Sequence, residues 1–91
     1  MAVYLVSYDI IKKDAFEYKP LWDELESLGA VKTQLSEWLL SSRSSQKDVF
    51  DHFKAMLHNK DELMITEITK RPHWQLGFPG TKAFLEKHFP Q

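Results

Sequence analysis

Residues 3–10 read Val-Tyr-Leu-Val-Ser-Tyr-Asp-Ile, a nearly unbroken apolar run with a single carboxylate close to its end. Val, Ile and Tyr suit a pleated, packed surface, so the run predicts a strand in the middle of a sheet. Asp9 is the exception to that pattern. A carboxylate inside a strand packs badly and costs on the order of several kcal/mol when desolvated without a partner. At a strand terminus, facing a sheet edge or a second subunit, it becomes a candidate metal ligand instead.

The rest of the chain supplies the elements that such a strand needs. Residues 11–17 lack a period and read as a loop carrying Lys12, Lys13 and Asp14. Pro20 suits the first turn of a helix, where its missing N–H costs nothing. Leu21, Leu25 and Leu28 then recur on one helical face, and Gly29 falls where a left-handed C-terminal cap is expected. Two short strands are expected next, Val31–Gln34 and residues 38–40, with a turn near residues 35–37; one long bent strand is the competing reading. The serine-rich residues 41–45 end in Ser45, and Asp48 three positions later completes an N-cap signature. A second helix is expected over residues 46–58, with Val49, Phe53, Met56 and Leu57 on one face. Residues 62–69 alternate as a half-buried strand, with Leu63, Ile65 and Glu67 pointing one way and Met64, Thr66 and Ile68 the other. Past Pro72, the tail at 72–91 is rich in aromatics and ends in a short amphipathic helix from about Thr81, with Phe84, Leu85 and His88 on it. So many aromatics predict that it packs back on the core.

The resulting order, β-α-β-β-α-β with a short helical tail, is an α+β ferredoxin-like sandwich, a single domain over residues 1–91. In that arrangement both helices cover one sheet face. The other face is open unless the tail or a partner covers it, which makes a homodimer the natural expectation.

Composition narrows the class further. A net charge of −1 argues against a broadly basic nucleic-acid binder, although a local basic patch is compatible with it. The absence of cysteine excludes disulfides and thiolate zinc sites. No apolar run approaches the roughly 20 residues that span a bilayer, and the opening strand lacks the tripartite pattern of a signal peptide. A cytoplasmic protein without a membrane partner is expected.

The element order, the opening Tyr8–Asp9 pair, Gly29 ahead of the second strand and Gln34-Leu35-Ser36 within it resemble the CRISPR-associated Cas-two-like superfamily of adaptation nucleases. The helix pattern Tyr18, Leu21, Leu25, Gly29, together with Trp38, Asp61 and the tail pattern Trp74, Gly77, Phe78, is similar to the small solitary SinR-like members of that superfamily. The resemblance implies a metal-dependent endonuclease acting on RNA or DNA, with Asp9 of each subunit meeting across a homodimer axis to bind Mg²⁺. Two such carboxylates repel each other unless a cation lies between them, and oxygen ligands favour a hard ion able to activate water. Asp9 is therefore the expected catalytic and metal-binding residue. Lys12, Lys13 and Arg43 are the expected nucleic-acid contacts, since lysine and arginine reach phosphates without reading sequence. Lys32, Lys70 and Arg71 are further candidates.

Each candidate also has an ordinary structural role. Asp9 can be a strand-end cap, and the lysines and arginines can be solvated surface charges. The histidines His52, His58, His73 and His88 show no i, i+4 pairing of a helical metal site. Trp22 reads as core or rim packing, whereas Trp38 and Trp74 are expected at a dimer interface. The alternative functional reading is a non-enzymatic dimeric scaffold or nucleic-acid-binding adaptor. A toxin-type ribonuclease of the same superfamily is a third.

Overall fold

The computed structural model describes residues 1–10, 15–75 and 77–89, with residues 15–17 described by their backbone alone. In chain order the elements are β1 (Ala2–Asp9), α1 (Ala15–Ser27), β2 (Val31–Gln34), β3 (Glu37–Ser42), α2 (Gln46–Lys54), β4 (Glu62–Ile68) and α3 (Thr81–His88). The strands form one four-stranded sheet in the order β2-β3-β1-β4, and every neighbouring pair is antiparallel. This is an α+β molecule with its earliest strand at the centre, as the apolar character of β1 requires.

Strand alternation divides the core in two. Tyr4, Val6 and Tyr8 of β1 point to one face with Trp38 and Leu40 of β3 and Ile65 of β4. There they meet Leu21 and Leu25 of α1 and Val49 and Phe53 of α2. Val3 and Leu39 point to the opposite face and pack against Phe84 and Leu85 of α3. Helix α3 thus docks on the sheet, and a smaller second core lies beneath it.

Local chemistry explains the helix boundaries. Helix α1 ends in a Schellman motif: the Ala30 N–H donates to the Leu25 carbonyl and the Gly29 N–H to the Glu26 carbonyl, both at 3.0 Å. Gly29 supplies the left-handed φ of 79° that this cap demands. Helix α2 starts where Ser45 Oγ accepts the Asp48 N–H at 3.1 Å, the cap expected from sequence.

Four expectations need correction. Helix α1 begins at Ala15, so residues 15–17 are helical and Pro20 lies inside the helix, where it removes one backbone hydrogen bond. Tyr18, rather than Leu28, completes the buried face with Leu21 and Leu25, and Leu28 is exposed beyond the last turn. Helix α2 stops at Lys54, because turn hydrogen bonds from Met56 to Phe53 and from Leu57 to Lys54 replace helical ones. Trp38 is core, facing the two helices at 4 % exposure, and offers nothing to an interface.

The segment from β4 to α3 crosses the second sheet face and is pinned at β2. The β2–β3 register slips between Lys32 and Gln34, a bulge that takes Thr33 out of the ladder. Its carbonyl then accepts the Phe78 N–H at 3.1 Å, and its hydroxyl accepts from Thr81 Oγ1 at 2.9 Å. Thr81 is fully buried by that contact. Gly77 passes so close that a Cβ there would lie 2.9 Å from Thr81 Oγ1.

Candidate functional site

Asp9 is exposed at the last position of β1, and the β1–β4 register sets Glu62, the first residue of β4, directly opposite it. Both belong to the second sheet face, in line with the cross-strand pairs Ser7–Met64, Leu5–Thr66 and Val3–Ile68. Like charges placed directly across an antiparallel pair are destabilising. Neither carboxylate has a hydrogen bond or ion pair to another described residue that would relieve this. Around them Ser7, Tyr8, Leu63 and Met64 complete an open concavity of about 470 Å³. The sequence signal for Glu62 was its place at the start of the last strand. Only the antiparallel pairing of first and last strands brings it to Asp9.

Helix α3 covers β2, β3 and the Val3–Ile68 end of β1 and β4 on this face, and leaves the Asp9–Glu62 end open, with Met64 65 % exposed. Among the described residues no strand pairs with the outer edge of β4.

Behind Asp9 the neighbouring residue is fixed firmly. The Tyr8 hydroxyl oxygen accepts two indole N–H groups, from Trp22 Nε1 and from Trp38 Nε1, each at 3.0 Å. One ring of α1 and one of β3 therefore clamp the strand end that presents Asp9. Nearby, Asp61 is committed to structure. Its carboxylate accepts the Tyr18 hydroxyl at 3.0 and 3.1 Å and the His58 N–H at 2.9 Å, tying α1 to the turn before β4.

The other expected site residues are not gathered here. Arg43 follows Ser42, which pairs with Ala2, so it lies at the opposite end of β1 from Asp9, about 20 Å away by strand rise. Lys12 and Lys13 lie outside the described residues. Lys32 sits 5.9 Å over the Phe78 ring. Arg71 lines a separate concavity with Pro72, His73 and Trp74. His52 contacts Glu24 at 2.6 Å between α2 and α1, and His58 packs edge-on to Tyr18. His88 packs at a tilt against Phe84 with ring centroids 4.3 Å apart; its burial, aided by Lys87, lowers its pKa below the usual histidine value.

Asp9 and Glu62 are hard oxygen donors of the kind Mg²⁺ prefers. Among the described residues no group of three His, Cys, Asp or Glu side chains is placed to hold a metal ion. A single copy thus offers two carboxylates, and a fuller ligand set needs a second copy or a bound phosphate. No protein-family model matches the chain, and no solved structure matches it. Among the described residues no helix is long and apolar enough to cross a membrane.

Proposed function

We propose that the protein is a divalent-metal-dependent endonuclease that works as a cytoplasmic homodimer on RNA or DNA phosphodiesters. The observation that carries this reading is the cross-strand pair Asp9–Glu62, two exposed carboxylates with no ion pair to another described residue. An element order with β1 between β3 and β4 supports reading the fold as ferredoxin-like, and with it the likeness to the Cas-two-like superfamily.

In this reading each subunit brings Asp9 and Glu62 to the dimer axis, which doubles the oxygen donors available to the ion. Mg²⁺ bound there supplies Lewis-acid stabilisation of phosphate charge and a water of lowered pKa. Asp9 and Glu62 hold the ion, and Tyr8, clamped by two tryptophans, fixes the backbone that presents Asp9. Arg43 is too far along β1 to share this centre and serves, if it meets nucleic acid, as a distant phosphate contact.

A second reading, a dimeric scaffold without catalysis, is favoured by the small number of donors on one chain. Labelled single- and double-stranded RNA and DNA, incubated with and without Mg²⁺ or Mn²⁺, separate the two. The nuclease reading expects cleavage that needs metal and disappears in Asp9→Asn and Glu62→Gln, both of which should fold normally. Absence of cleavage on every substrate would leave the scaffold, and cleavage unchanged in Asp9→Asn would remove the carboxylate pair from the mechanism.

A further inference from the structure

The tail creates a second hollow on the same sheet face. A groove of about 160 Å³ has Leu5, Leu39 and Ile68 on its apolar side, Trp74 along the tail, and Gln34 and Glu37 where β2 turns into β3. Trp74 lines the groove and is 41 % exposed. Glu37 is half-buried, and its carboxylate has no hydrogen bond or ion pair to another described residue. Pro72, His73 and Trp74 also line the adjoining concavity of about 360 Å³ that contains Arg71. Toward the other side, Glu37 pairs in register with Ser7, which lines the concavity at Asp9. Apolar floor, exposed indole and acceptor-only carboxylate therefore line one groove, and a cation lines the concavity that adjoins it.

We propose that this groove binds an unpaired guanine nucleotide, with the base against Trp74 and the apolar floor, its Watson–Crick edge at Glu37 and its phosphate at Arg71. An exposed indole and an apolar surface in one groove suit a flat heterocycle, and aromatic side chains stack on unpaired bases. The carboxylate selects among bases. It only accepts hydrogen bonds, and guanine alone carries two adjacent N–H donors, N1–H and the N2 amino group, on that edge. Adenine and cytosine set a ring acceptor beside their amino group, and uracil flanks its single donor with two carbonyls. The Gln34 amide supplies a donor for guanine O6. Arg71 provides the planar, charged partner that phosphate favours. From Leu5 to Ser7 is one pleat, roughly 7 Å, so a base in the groove lies within one or two nucleotides of Asp9.

The assignment deepens the proposed function by naming the base recognised, and its test needs no cleavage. Isothermal titration of the full chain in metal-free buffer uses GMP, AMP, CMP, UMP, guanosine and single-stranded RNA hexamers that differ by one guanine. The groove expects GMP to bind at least tenfold tighter than the other three monophosphates. Glu37→Gln should remove that preference, and Trp74→Ala should weaken GMP at least tenfold. Arg71→Ala should weaken GMP but not guanosine, and Gln34→Ala, at an exposed position, should weaken GMP without changing the fold. Melting temperatures close to wild type establish that the variants are folded. Asp9→Asn should bind GMP like the wild type, so a protein that binds guanine yet cleaves nothing keeps this inference and loses the nuclease. Tighter binding of the guanine-containing hexamer than of GMP names nucleic acid as the source, and equal affinity names the free nucleotide. No binding of any guanine compound, equal affinity for all four bases, or affinity untouched by both Glu37→Gln and Trp74→Ala would overturn it.

Discussion

At the scale of single residues, Tyr8 has the heaviest structural duty. It is almost wholly buried, and its oxygen is the acceptor for two indole N–H groups. Removing that oxygen leaves the Trp38 donor stranded inside the core, at about 1–3 kcal/mol for an unsatisfied buried group, while half-buried Trp22 loses a weaker bond. Tyr8→Phe should therefore destabilise the protein by about 2–4 kcal/mol, read in urea unfolding. Tyr4→Phe is the comparison, because the Tyr4 hydroxyl makes one bond, to the Ser44 carbonyl at 2.7 Å, and its loss should cost nearer 1 kcal/mol. Equal losses in the two variants would deny Tyr8 its special place. Asp9 behaves oppositely. Asp9→Asn ends the repulsion with Glu62 and should raise stability in metal-free buffer by about 0.2–1 kcal/mol. If the pair binds metal, Mg²⁺ should raise the melting temperature of the wild type and leave that of Asp9→Asn unchanged. The place of Asp9, a lone charge ending an apolar strand, was legible in sequence. The link between Trp22, Trp38 and Tyr8 was not, because period-two alternation shows that residues share a face without showing whether that face is covered.

At the scale of elements, α3 is held by a few close contacts that make its docking sensitive. Gly77→Ala would drive a methyl group to 2.9 Å from Thr81 Oγ1, and Thr81 cannot withdraw because it is buried and bonded to Thr33. Overpacking of that kind costs about 1–3 kcal/mol, and hydrogen exchange should quicken first at the Phe78 amide that anchors the tail. His88 adds a pH dependence to the same element. Burial lowers its folded pKa, so the unfolded chain binds the proton more readily than the folded one. The stability His88 contributes is complete above the unfolded value of about 6.5 and falls as the pH drops below it. Wild type should lose more stability than His88→Gln between pH 7 and about pH 5, and parallel curves would contradict this. The helix-forming signals in this chain were mostly local and therefore readable: Ser45 with Asp48, Gly29, and the apolar spacing of Leu21 and Leu25. Pro20 misled because proline favours a first turn, whereas α1 extends to Ala15 ahead of it and tolerates the missing hydrogen bond. The Thr33 bulge left no sequence mark, because it follows from where the tail lands.

At the scale of the whole molecule, the sheet is covered unequally. Helices α1 and α2 close one face and α3 closes part of the other, while the Asp9 end of β1 and β4 keeps Met64, Thr66, Asp9 and Glu62 in the open, beside an edge that no other described strand pairs. Sequence order alone made one open face readable, since β-α-β-β-α-β puts its two long connections on the same side. It could not tell how far the tail would reach across the other. If a second copy meets this open half, as proposed, Met64 is the apolar anchor nearest the carboxylate pair, one pleat from Glu62 on the same strand. A lysine there would be desolvated at the contact, yet in a single chain it would stand in water, because Met64 is 65 % exposed. Met64→Lys should thus weaken dimerisation at least tenfold in sedimentation equilibrium while leaving the low-concentration melting temperature within a few degrees of wild type. Wild type should in turn melt at a temperature that rises with protein concentration, and the variant should not, since only an associating native state is stabilised by mass action. A wild type that is monomeric at all concentrations, with and without Mg²⁺, would remove the second pair of carboxylates on which the proposed metal centre depends. A dimer unaffected by Met64→Lys would move the contact to another surface and separate it from Asp9.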